Sequence, residues 1–462
     1  MHMRNPNVVL VFADQWRAQA TGYAGDPNVK TPRLDALAQE SLNFSLAISN
    51  CPVCSPYRGS LMTGQYPLTH GVFVNDVTLD PDAVTMGKVF AAAGYDTAYI
   101  GKWHLDGQGR SAYIPPERRQ GFSYWKALEC THDYNRSPYY AGNDNEKKQW
   151  EGYDPTAQTR DAAEYIRGRS KEKPFLLVLS WGPPHNPYET APQEYKDLYS
   201  PESIILRPNV PETMAGEARQ WLAGYYAHCS ALDACLGQLL DTLRETGLEE
   251  NTLFLFTSDH GETLYDHDCY FDHHGLYDPT LVVPFIVVWK NHLPKGLRIT
   301  DTMQLKDITP TLLDMMGIDT GLPFDGRSLM PLIRGGHREK EDEFYITECT
   351  WMRKHGWRTP EWKLMISLEP DFHYKPPVEL YNLVNDPEEY DNLADKRPEV
   401  VKMLTDRMNA WIEKRVKETG RPSPIEVNFL RPEGPFATSD EAYHGKYIGS
   451  VAQAVALQKK KE

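Results

Sequence analysis

The sequence lacks the features that mark membrane, fibrous and disulfide-rich proteins. No stretch approaches the roughly 20 consecutive apolar residues that span a bilayer, and the first residues form no basic-plus-apolar leader. Seven cysteines in 462 residues are too few for a disulfide scaffold. Acidic residues outnumber basic ones by 64 to 49, and the net charge of −15 disfavours nucleic acid and anionic lipid as partners. We therefore expect a soluble protein. Its oligomeric state stays open, as does its compartment, which is either the cytoplasm or, after removal of a signal peptide, the periplasm or exterior.

The order of predicted elements favours an α/β fold with a doubly wound, mostly parallel sheet. Strands are predicted at 8–12, 97–100, 174–180, 252–257 and 284–289, and helices at 32–40, 56–63, 85–93 and 217–246. From about residue 341 the pattern changes to short strands at 343–346, 363–367 and 378–381, followed by a helix at 398–417. The predicted division is a catalytic domain at 1–340, a smaller α+β subdomain with an antiparallel sheet at 341–420, and a C-terminal wrap and tail at 421–462.

Polar residues follow two of the predicted strands. Asp14 and Gln15 come after the first strand, and Asp259 and His260 come after the strand at 252–257. Ligand sites of open parallel sheets lie at the carboxyl ends of the strands. Mostly oxygen donors favour Ca²⁺ or Mg²⁺, and the imidazole leaves Mn²⁺ open. Either pair alone is also typical of a helix cap or a solvated turn.

Cys51 and Cys54 form a C-x-x-C pair, which has two ready interpretations, a redox dithiol and half of a zinc site. No second pair with suitable spacing completes a zinc site, and a redox motif does not explain the residues that follow. Cys54-Ser55-Pro56-Tyr57-Arg58, leading to Thr63-Gly64, resembles the C-x-P-x-R signature of type I, formylglycine-dependent sulfatases of the alkaline phosphatase superfamily. Further blocks similar to that family occur in the family's order at 94–104, 183–187, 257–262, 379–383, 386–388 and 392–394.

This resemblance implies an alkaline-phosphatase-like fold and a sulfuric ester hydrolase. Cys54 would be oxidised to formylglycine by a formylglycine-generating enzyme, and the aldehyde hydrate would attack sulfur beside the metal. Arg58 lies four residues later on the same helical face, within reach of that hydrate. The family pattern assigns Lys102 to the sulfate, His104 to the base and His185 to the acid that protonates the leaving oxygen.

The sequence departs from the family pattern where a lysine usually follows the metal-binding aspartate. Counting back from Tyr277-Asp278 places that position at His273, whereas counting forward from Asp259 places it at Asp272. A cationic donor suits sulfate better, so we predict His273, with His274 as the reserve. The competing interpretation is that these histidines hydrogen-bond within a turn or bind the sugar.

The expected substrate is a sulfated carbohydrate. The segment 107–153 is long and rich in aromatic residues, which is typical of a functional loop. Polar residues that we expect to line a wet pocket are His70, Asn75, Arg110, His132 and Arg353. Two alternatives remain: a phosphonate or phosphate diesterase on the same scaffold, and a non-catalytic glycan-binding protein that keeps the metal.

Overall fold

A computed structural model describes residues 6–269, 273–336, 343–350, 352–370, 373–423 and 425. Eleven strands of this described chain form one large sheet. They are β1 Asn7–Asp14, β2 Leu42–Ile48, β3 Asp96–Lys102, β4 Tyr124–Leu128, β5 Pro138–Ala141, β6 Lys148–Gln149, β7 Phe175–Pro184, β8 Thr252–Ser258, β9 Val282–Val283, β10 Phe285–Val288 and β11 Leu297–Gln304. The order is β11-β2-β10-β8-β1-β7-β3-β4-β5-β6, and β9 pairs with β2.

The centre of the sheet is parallel, with β1 between β7 and β8. Strand β10 runs antiparallel to both of its neighbours, β8 and β2. The described part of the connection from β8 to β10 contains the 3-10 helix Asp266–Asp268, the four-residue helix Asp278–Leu281 and β9. The strand predicted at 284–289 exists, but it runs opposite to the two strands beside it.

Helices cover both faces of the large sheet. The described helices are α1 Pro32–Glu40, α2 Cys54–Thr63, α3 Pro67–His70, α4 Met86–Ala92, α5 Asp154–Arg167, α6 Gln193–Lys196, α7 Ala215–Glu245, α8 Asp278–Leu281, α9 Ile308–Met315, α10 Met330–Ile333 and α11 Pro398–Thr419. Alternate residues of β1 point to opposite cores: Leu10 packs in the core that contains Leu61 of α2, and Val11 in the core that contains Leu236 of α7. The predicted doubly wound α/β architecture is confirmed.

A second, antiparallel sheet lies towards the C-terminus. Its strands are β12 Phe344–Glu348, β13 Lys354–Arg358, β14 Trp362–Ser367 and β15 Val378–Asn382. Helix α11 packs on this sheet through Leu404 and Met408, which share a core with Leu364 and Leu380. The predicted α+β subdomain is thus confirmed. The predicted boundary at 340 falls outside the described residues, as does nearly all of the tail at 421–462.

The segment between β8 and β9 is anchored to the small sheet. Tyr277 packs with residues of the small sheet in one hydrophobic cluster. The Asp278 carboxylate accepts hydrogen bonds from Arg358 Nη2 (3.1 Å) and Lys363 Nζ (2.7 Å). Both cations belong to the small sheet and are buried. The small sheet therefore holds the start of helix α8, which follows the end of β8 along the chain.

The aromatic segment 107–153 is not simply a loop, because it contains β4, β5 and β6. Tyr139 stacks on Trp150 with ring centroids 4.3 Å apart. Trp125 packs edge-on against Trp103 at 5.2 Å. The first contact lies within the segment, whereas the second links the segment to Trp103, which directly follows β3. In the part of the chain that the structure describes, no helix is both long and apolar enough to cross a membrane.

Candidate active site

Four potential metal ligands meet at the carboxyl edge of the large sheet. They are Asp14 at the end of β1, Cys54 at the start of α2, and Asp259 and His260 directly after β8. One ligand atom of each lies within 4.8 Å of those of the others, and all four residues are buried. Cys54 Sγ is 3.6 Å from Asp14 Oδ1 and 3.5 Å from His260 Nε2. The structure therefore brings the predicted cysteine and three predicted strand-end residues together.

Helix α2 presents Cys54 to this cluster. The helix begins at Cys54, two residues before the predicted start, and ends at Thr63, followed by Gly64 in a left-handed conformation with φ of 66°. Asn75 Oδ1 accepts a hydrogen bond from the Ser55 backbone N–H at 2.9 Å. This contact satisfies one of the N–H groups that a helix start leaves without an intrahelical partner. Asn75, which the sequence placed in the pocket, thus holds the first turn of the helix.

Two buried cations face the carboxylates. Lys102 Nζ lies 2.5 Å from Asp14 Oδ2 and 3.5 Å from Cys54 Sγ. Arg58 Nη2 lies 3.2 Å from Asp14 Oδ2 and 3.4 Å from Asp259 Oδ2. Burial opposes the ionised form of Asp14, but nearby positive charge, that of Lys102 above all, holds its pKa well below its usual range. Burial and the charge of Asp14 raise the pKa of Asp259.

The Cys54 thiol is poorly suited to act as a nucleophile in its unmodified form. Burial, followed by the negative charge of Asp14, raises its pKa well above the ordinary value despite the opposing charge of Lys102. The thiolate, rather than the thiol, is the reactive form of cysteine. A buried thiol of this kind at the centre of a charged cluster is consistent with chemical conversion of the side chain before use.

Gln15 adds an amide oxygen to this region as a possible metal ligand. Its backbone N–H donates to Asp259 Oδ1 at 3.0 Å, and its side-chain Nε2 donates to Tyr188 Oη at 3.0 Å and Glu262 Oε2 at 2.5 Å. Among the described residues, the buried Gln15 Oε1 has no hydrogen-bond partner. Two carboxylates, an amide oxygen that lacks a partner and one imidazole nitrogen fit a hard divalent cation. The same donor set suits Ca²⁺, Mg²⁺ and Mn²⁺.

His104 is held by a carboxylate that the sequence reasoning missed. His104 Nε2 lies 3.0 Å from Asp76 Oδ1, and Arg110 binds the same carboxylate through Nε at 3.0 Å and Nη2 at 2.9 Å. Burial lowers the pKa of His104 to about 4, although Asp76 opposes the shift. The imidazole is therefore neutral near pH 7. The available signal was the position of Asp76 directly after Asn75.

Four further imidazoles extend from His260 across the site. His273 stacks on His260 with ring centroids 4.0 Å apart, and His274 lies 4.5 Å from His273. The His185 ring is 5.6 Å from His273 and stacks on His132 at 4.6 Å and 10°. His273, the residue that the backward count identified, lies beside a predicted metal ligand. Asp272, the result of the forward count, lies outside the described residues.

Comparison with known proteins identifies the family. The sulfatase family model matches residues 6–318, and a model of the C-terminal region of N-sulphoglucosamine sulphohydrolase matches residues 266–414. This chain belongs to the sulfatase family.

The sulfatase resembles relatives along most of its length. It is 42% identical over 425 residues to an ulvan-active sulfatase of Formosa agariphila, a match that covers 90% of this chain and 82% of that protein. It is 30% identical to an endo-4-O-sulfatase of Bacteroides thetaiotaomicron, over 88% of this chain and 92% of that protein. A solved structure from work on the metabolism of multiple glycosaminoglycans by Bacteroides thetaiotaomicron matches with a TM-score of 0.82 and 29% identity, over 91% of this chain and 98% of that chain.

The structure gives two predicted pocket residues of this sulfatase other partners. His70 Nε2 lies 3.1 Å from Ser60 Oγ, and its Nδ1 accepts the backbone N–H of Val72 at 3.1 Å. Arg353 Nη1 pairs with Glu369 Oε1 at 2.8 Å, and its Nε donates to a backbone carbonyl oxygen at 2.8 Å. His70 and Arg353 are therefore bonded to other residues of the protein, and their place in the substrate pocket stays a prediction.

Proposed function

We propose that this sulfatase removes sulfate from a saccharide, using formylglycine at position 54 and one divalent cation, most simply Ca²⁺. The observation that carries the proposal is the position of Cys54 at the start of α2, among two buried carboxylates and two buried cations. The raised pKa of its thiol supports conversion to the aldehyde before catalysis. A formylglycine-generating enzyme would then be a transient partner during maturation.

The residues present divide the chemistry between them. The formylglycine hydrate would supply two hydroxyl groups on one carbon, one to attack sulfur and the other to release sulfate afterwards. The metal, held by Asp14, Gln15, Asp259 and His260 next to position 54, would add positive charge that stabilises the sulfuryl oxygens in the transition state. Each of these donors is fully buried, so little water competes for the charge.

Lys102 and Arg58 supply fixed positive charge to the same place. Lys102 Nζ lies 3.5 Å from Sγ of Cys54, so it is close enough to bind a sulfuryl group attached at that position. Arg58 Nη1 donates to the Lys102 carbonyl oxygen at 2.5 Å and to Ser180 Oγ at 2.8 Å. Because these contacts fix the guanidinium, its charge is preorganised rather than recruited during the reaction.

Two histidines are assigned to proton transfer. His104 is neutral near pH 7 and is held by Asp76, so it can accept a proton as the base. His185 Nδ1 lies 2.9 Å from the Asn186 carbonyl oxygen. With Nδ1–H donating to that oxygen, the acid form is the doubly protonated imidazolium, whose Nε2–H would supply the proton for the departing alkoxide. The two prolines that flank His185 and Asn186 restrict the backbone of this loop.

The histidines beyond His260 are assigned to substrate. We assign His273 to a sulfuryl or leaving-group oxygen, with His274 as the reserve, because His273 lies between His260 and His185. His132 and Arg110 are assigned to the saccharide. His132 stacks on the proposed acid, and the Arg110 side chain is 43% exposed. The names of the ulvan-active and endo-4-O-sulfatase relatives support a carbohydrate substrate.

One preparation tests modification and activity together. The protein is produced with and without a formylglycine-generating enzyme, and the tryptic peptide from Leu34 to Arg58 is analysed by mass spectrometry. We expect sulfate release from sulfated saccharides to rise in proportion to aldehyde content. Sulfate release from a sample with unmodified Cys54 would contradict the mechanism. Faster turnover of a phosphodiester than of any sulfate ester would instead favour the diesterase, and an aldehyde-containing protein that binds but does not turn over saccharides would favour the glycan-binding alternative.

A further inference from the structure

We propose that Glu262 is a positioning residue that orients the Gln15 side chain, so that the amide oxygen rather than the nitrogen is presented to the divalent cation. This inference rests on the proposed function, because it concerns the proposed metal centre. Glu262 follows His260 by two residues, is fully buried and has no role in the proton transfers described above. Its contribution would be to set which atom of a neighbouring amide is a ligand.

The Gln15 amide has only one arrangement that satisfies its nitrogen. Both N–H groups of Nε2 have acceptors, Glu262 Oε2 at 2.5 Å and Tyr188 Oη at 3.0 Å. Tyr188 Oη in turn donates to Glu262 Oε2 at 3.3 Å. Rotating the amide by half a turn would place its oxygen against a carboxylate oxygen, and neither atom can donate. The contact with Glu262 therefore fixes the identities of the two amide atoms.

Glu262 is itself held as an acceptor. Its other oxygen, Oε1, accepts the backbone N–H of Leu264 at 3.1 Å and Thr263 Oγ1 at 3.2 Å. The carboxylate thus meets donors at both oxygens, and all of the donors are buried. A neutral glutamine at this position would have to place its own amide nitrogen against the Leu264 N–H or against the Gln15 amide. With the Gln15 amide in its present orientation, either orientation of the new glutamine amide therefore places two hydrogen-bond donors against each other.

The backbone of Gln15 leaves the side chain little freedom to find another arrangement. Gln15 has a left-handed φ of 73°, which is uncommon for a residue with a side chain. Its N–H donates to Asp259 Oδ1 at 3.0 Å, and its carbonyl oxygen accepts from Tyr225 Oη at 2.8 Å. The main chain is therefore held on both sides. What remains is a buried amide oxygen without a hydrogen-bond partner among the described residues.

A carboxylate at position 15 would not need this device, because its two oxygens are equivalent in a way that amide atoms are not. Outer contacts that orient metal ligands are worth about 10–100-fold in metal affinity. We therefore expect Glu262→Gln to raise the Kd for Ca²⁺ by about 10–100-fold. The measurement is a calorimetric titration of the chelator-treated full-length protein with Ca²⁺ alone, repeated with Mg²⁺.

The double variant Gln15→Glu/Glu262→Gln provides the decisive comparison. It exchanges the carboxylate and the amide without changing net charge or size. The new amide oxygen at position 262 would accept from Leu264 and Thr263, and the new amide nitrogen there would donate to the carboxylate introduced at position 15. The second oxygen of that carboxylate would be presented to the cation. We expect this variant to bind Ca²⁺ at least about 10-fold more tightly than Glu262→Gln alone, because about 10-fold is the smallest loss of affinity expected for Glu262→Gln.

Asp266→Asn is the control for general weakening of this loop. Asp266 is buried in the same loop and pairs with Arg17 at 3.3 Å and Arg207 at 2.8 Å, but it has no contact with the proposed ligands among the described residues. We expect it to lower the melting temperature of the metal-free protein and to leave the Kd for Ca²⁺ within about 3-fold.

An unchanged Kd in Glu262→Gln overturns the inference, whether or not the variant is less stable. A double variant that recovers stability but not Ca²⁺ affinity also overturns it, because Glu262 would then serve only the fold. If the parent protein binds none of these ions, the proposed metal centre fails as well. A parent protein that binds Ca²⁺ but releases no sulfate would instead count against the proposed function alone.

Discussion

Arg58 offers the sharpest test of how the charged cluster is stabilised. Its guanidinium is fully buried and lies 3.2 Å from Asp14 and 3.4 Å from Asp259. Nη1 also donates to Ser180 Oγ and to the Lys102 carbonyl oxygen. Arg58→Met keeps an unbranched side chain over Phe12, whose ring centroid lies 5.0 Å from the guanidinium carbon. The substitution therefore removes the charge and its hydrogen bonds while most of the apolar contact remains.

The expected loss of stability is large. Removing one partner of a buried ion pair costs about 3–5 kcal/mol, because the remaining charge is left uncompensated. Two carboxylates lose a neighbour here, although Lys102 still faces Asp14 at 2.5 Å. We therefore expect the free energy of unfolding in chelator to fall by about 4 kcal/mol. That is a substantial share of the roughly 5–15 kcal/mol by which folded proteins are typically stable.

Urea unfolding in chelator and in Ca²⁺ measures both parts of the effect. A cation that binds only the folded state adds its binding free energy to stability. Because the two carboxylates in the variant attract the cation more strongly, we expect Ca²⁺ to bind about 10-fold more tightly and to restore roughly 1.4 kcal/mol more than in the parent. Arg119→Met is the control: Arg119 is equally buried but bonds carbonyl oxygens, at Ile114 (2.9 Å) and Gly142 (2.7 Å). A loss below about 1 kcal/mol for Arg58→Met, or equal Ca²⁺ effects in both variants, would refute the reasoning.

Three further predictions concern the reaction. Cys54→Ala should abolish turnover, because it removes the side chain that becomes the nucleophile. Calorimetry should still detect metal binding by the four remaining donors. Residual activity above a small fraction of the parent's would contradict the mechanism. His185→Ala should slow alkyl sulfates far more than aryl sulfates of acidic phenols, which leave without a proton; equal losses in steady-state kinetics would remove His185 from the acid role. Asp76→Asn should lower kcat and shift the acidic limb of the pH–rate profile to lower pH. Burial lowers the pKa of His104 to about 4, and Asp76 opposes that shift, so loss of the carboxylate should lower the pKa further. An unmoved limb would show that Asp76 does not act through His104.

The parts of the fold that the sequence predicted are those with a strong local signal. Helix α1 has its predicted bounds, Pro32–Glu40, because a proline opens it and its apolar positions recur with helical spacing. Strand β13 was missed, because Lys354 and Arg358 make it look polar. Both cations are buried, and each is paired with a carboxylate far away in the sequence, Glu379 and Asp278. Pairing over such distances leaves no local pattern.

The candidate site divides in the same way. Cys54, Arg58 and Lys102 occur in motifs, so the sequence alone predicted them. Asp76 and Glu262 were not predicted as functional, because the contact that suggests a role for each joins it to a residue 28 positions away for Asp76 and 247 positions away for Glu262. His273 is an intermediate case: the backward count identified it, but the forward count gave Asp272, so residue spacing alone did not decide between them. The stacking of His273 on His260 provides a reason to consider His273 that residue spacing alone did not provide.

The contact of Asp278 with Arg358 and Lys363 bears on how this chain can be divided and recombined. A designer who exchanged C-terminal units between related enzymes at the domain boundary predicted from the sequence, residue 340, would separate Asp278 from both of its cations. The exchangeable unit should instead include the segment from residue 266 onward, where the match to the C-terminal family model also begins. Chimeras cut at that earlier point keep the histidines of the loop together with the small sheet that supports them. Among related enzymes, we therefore expect substitutions in the loop that contains His273 and His274 to occur together with substitutions in the small sheet.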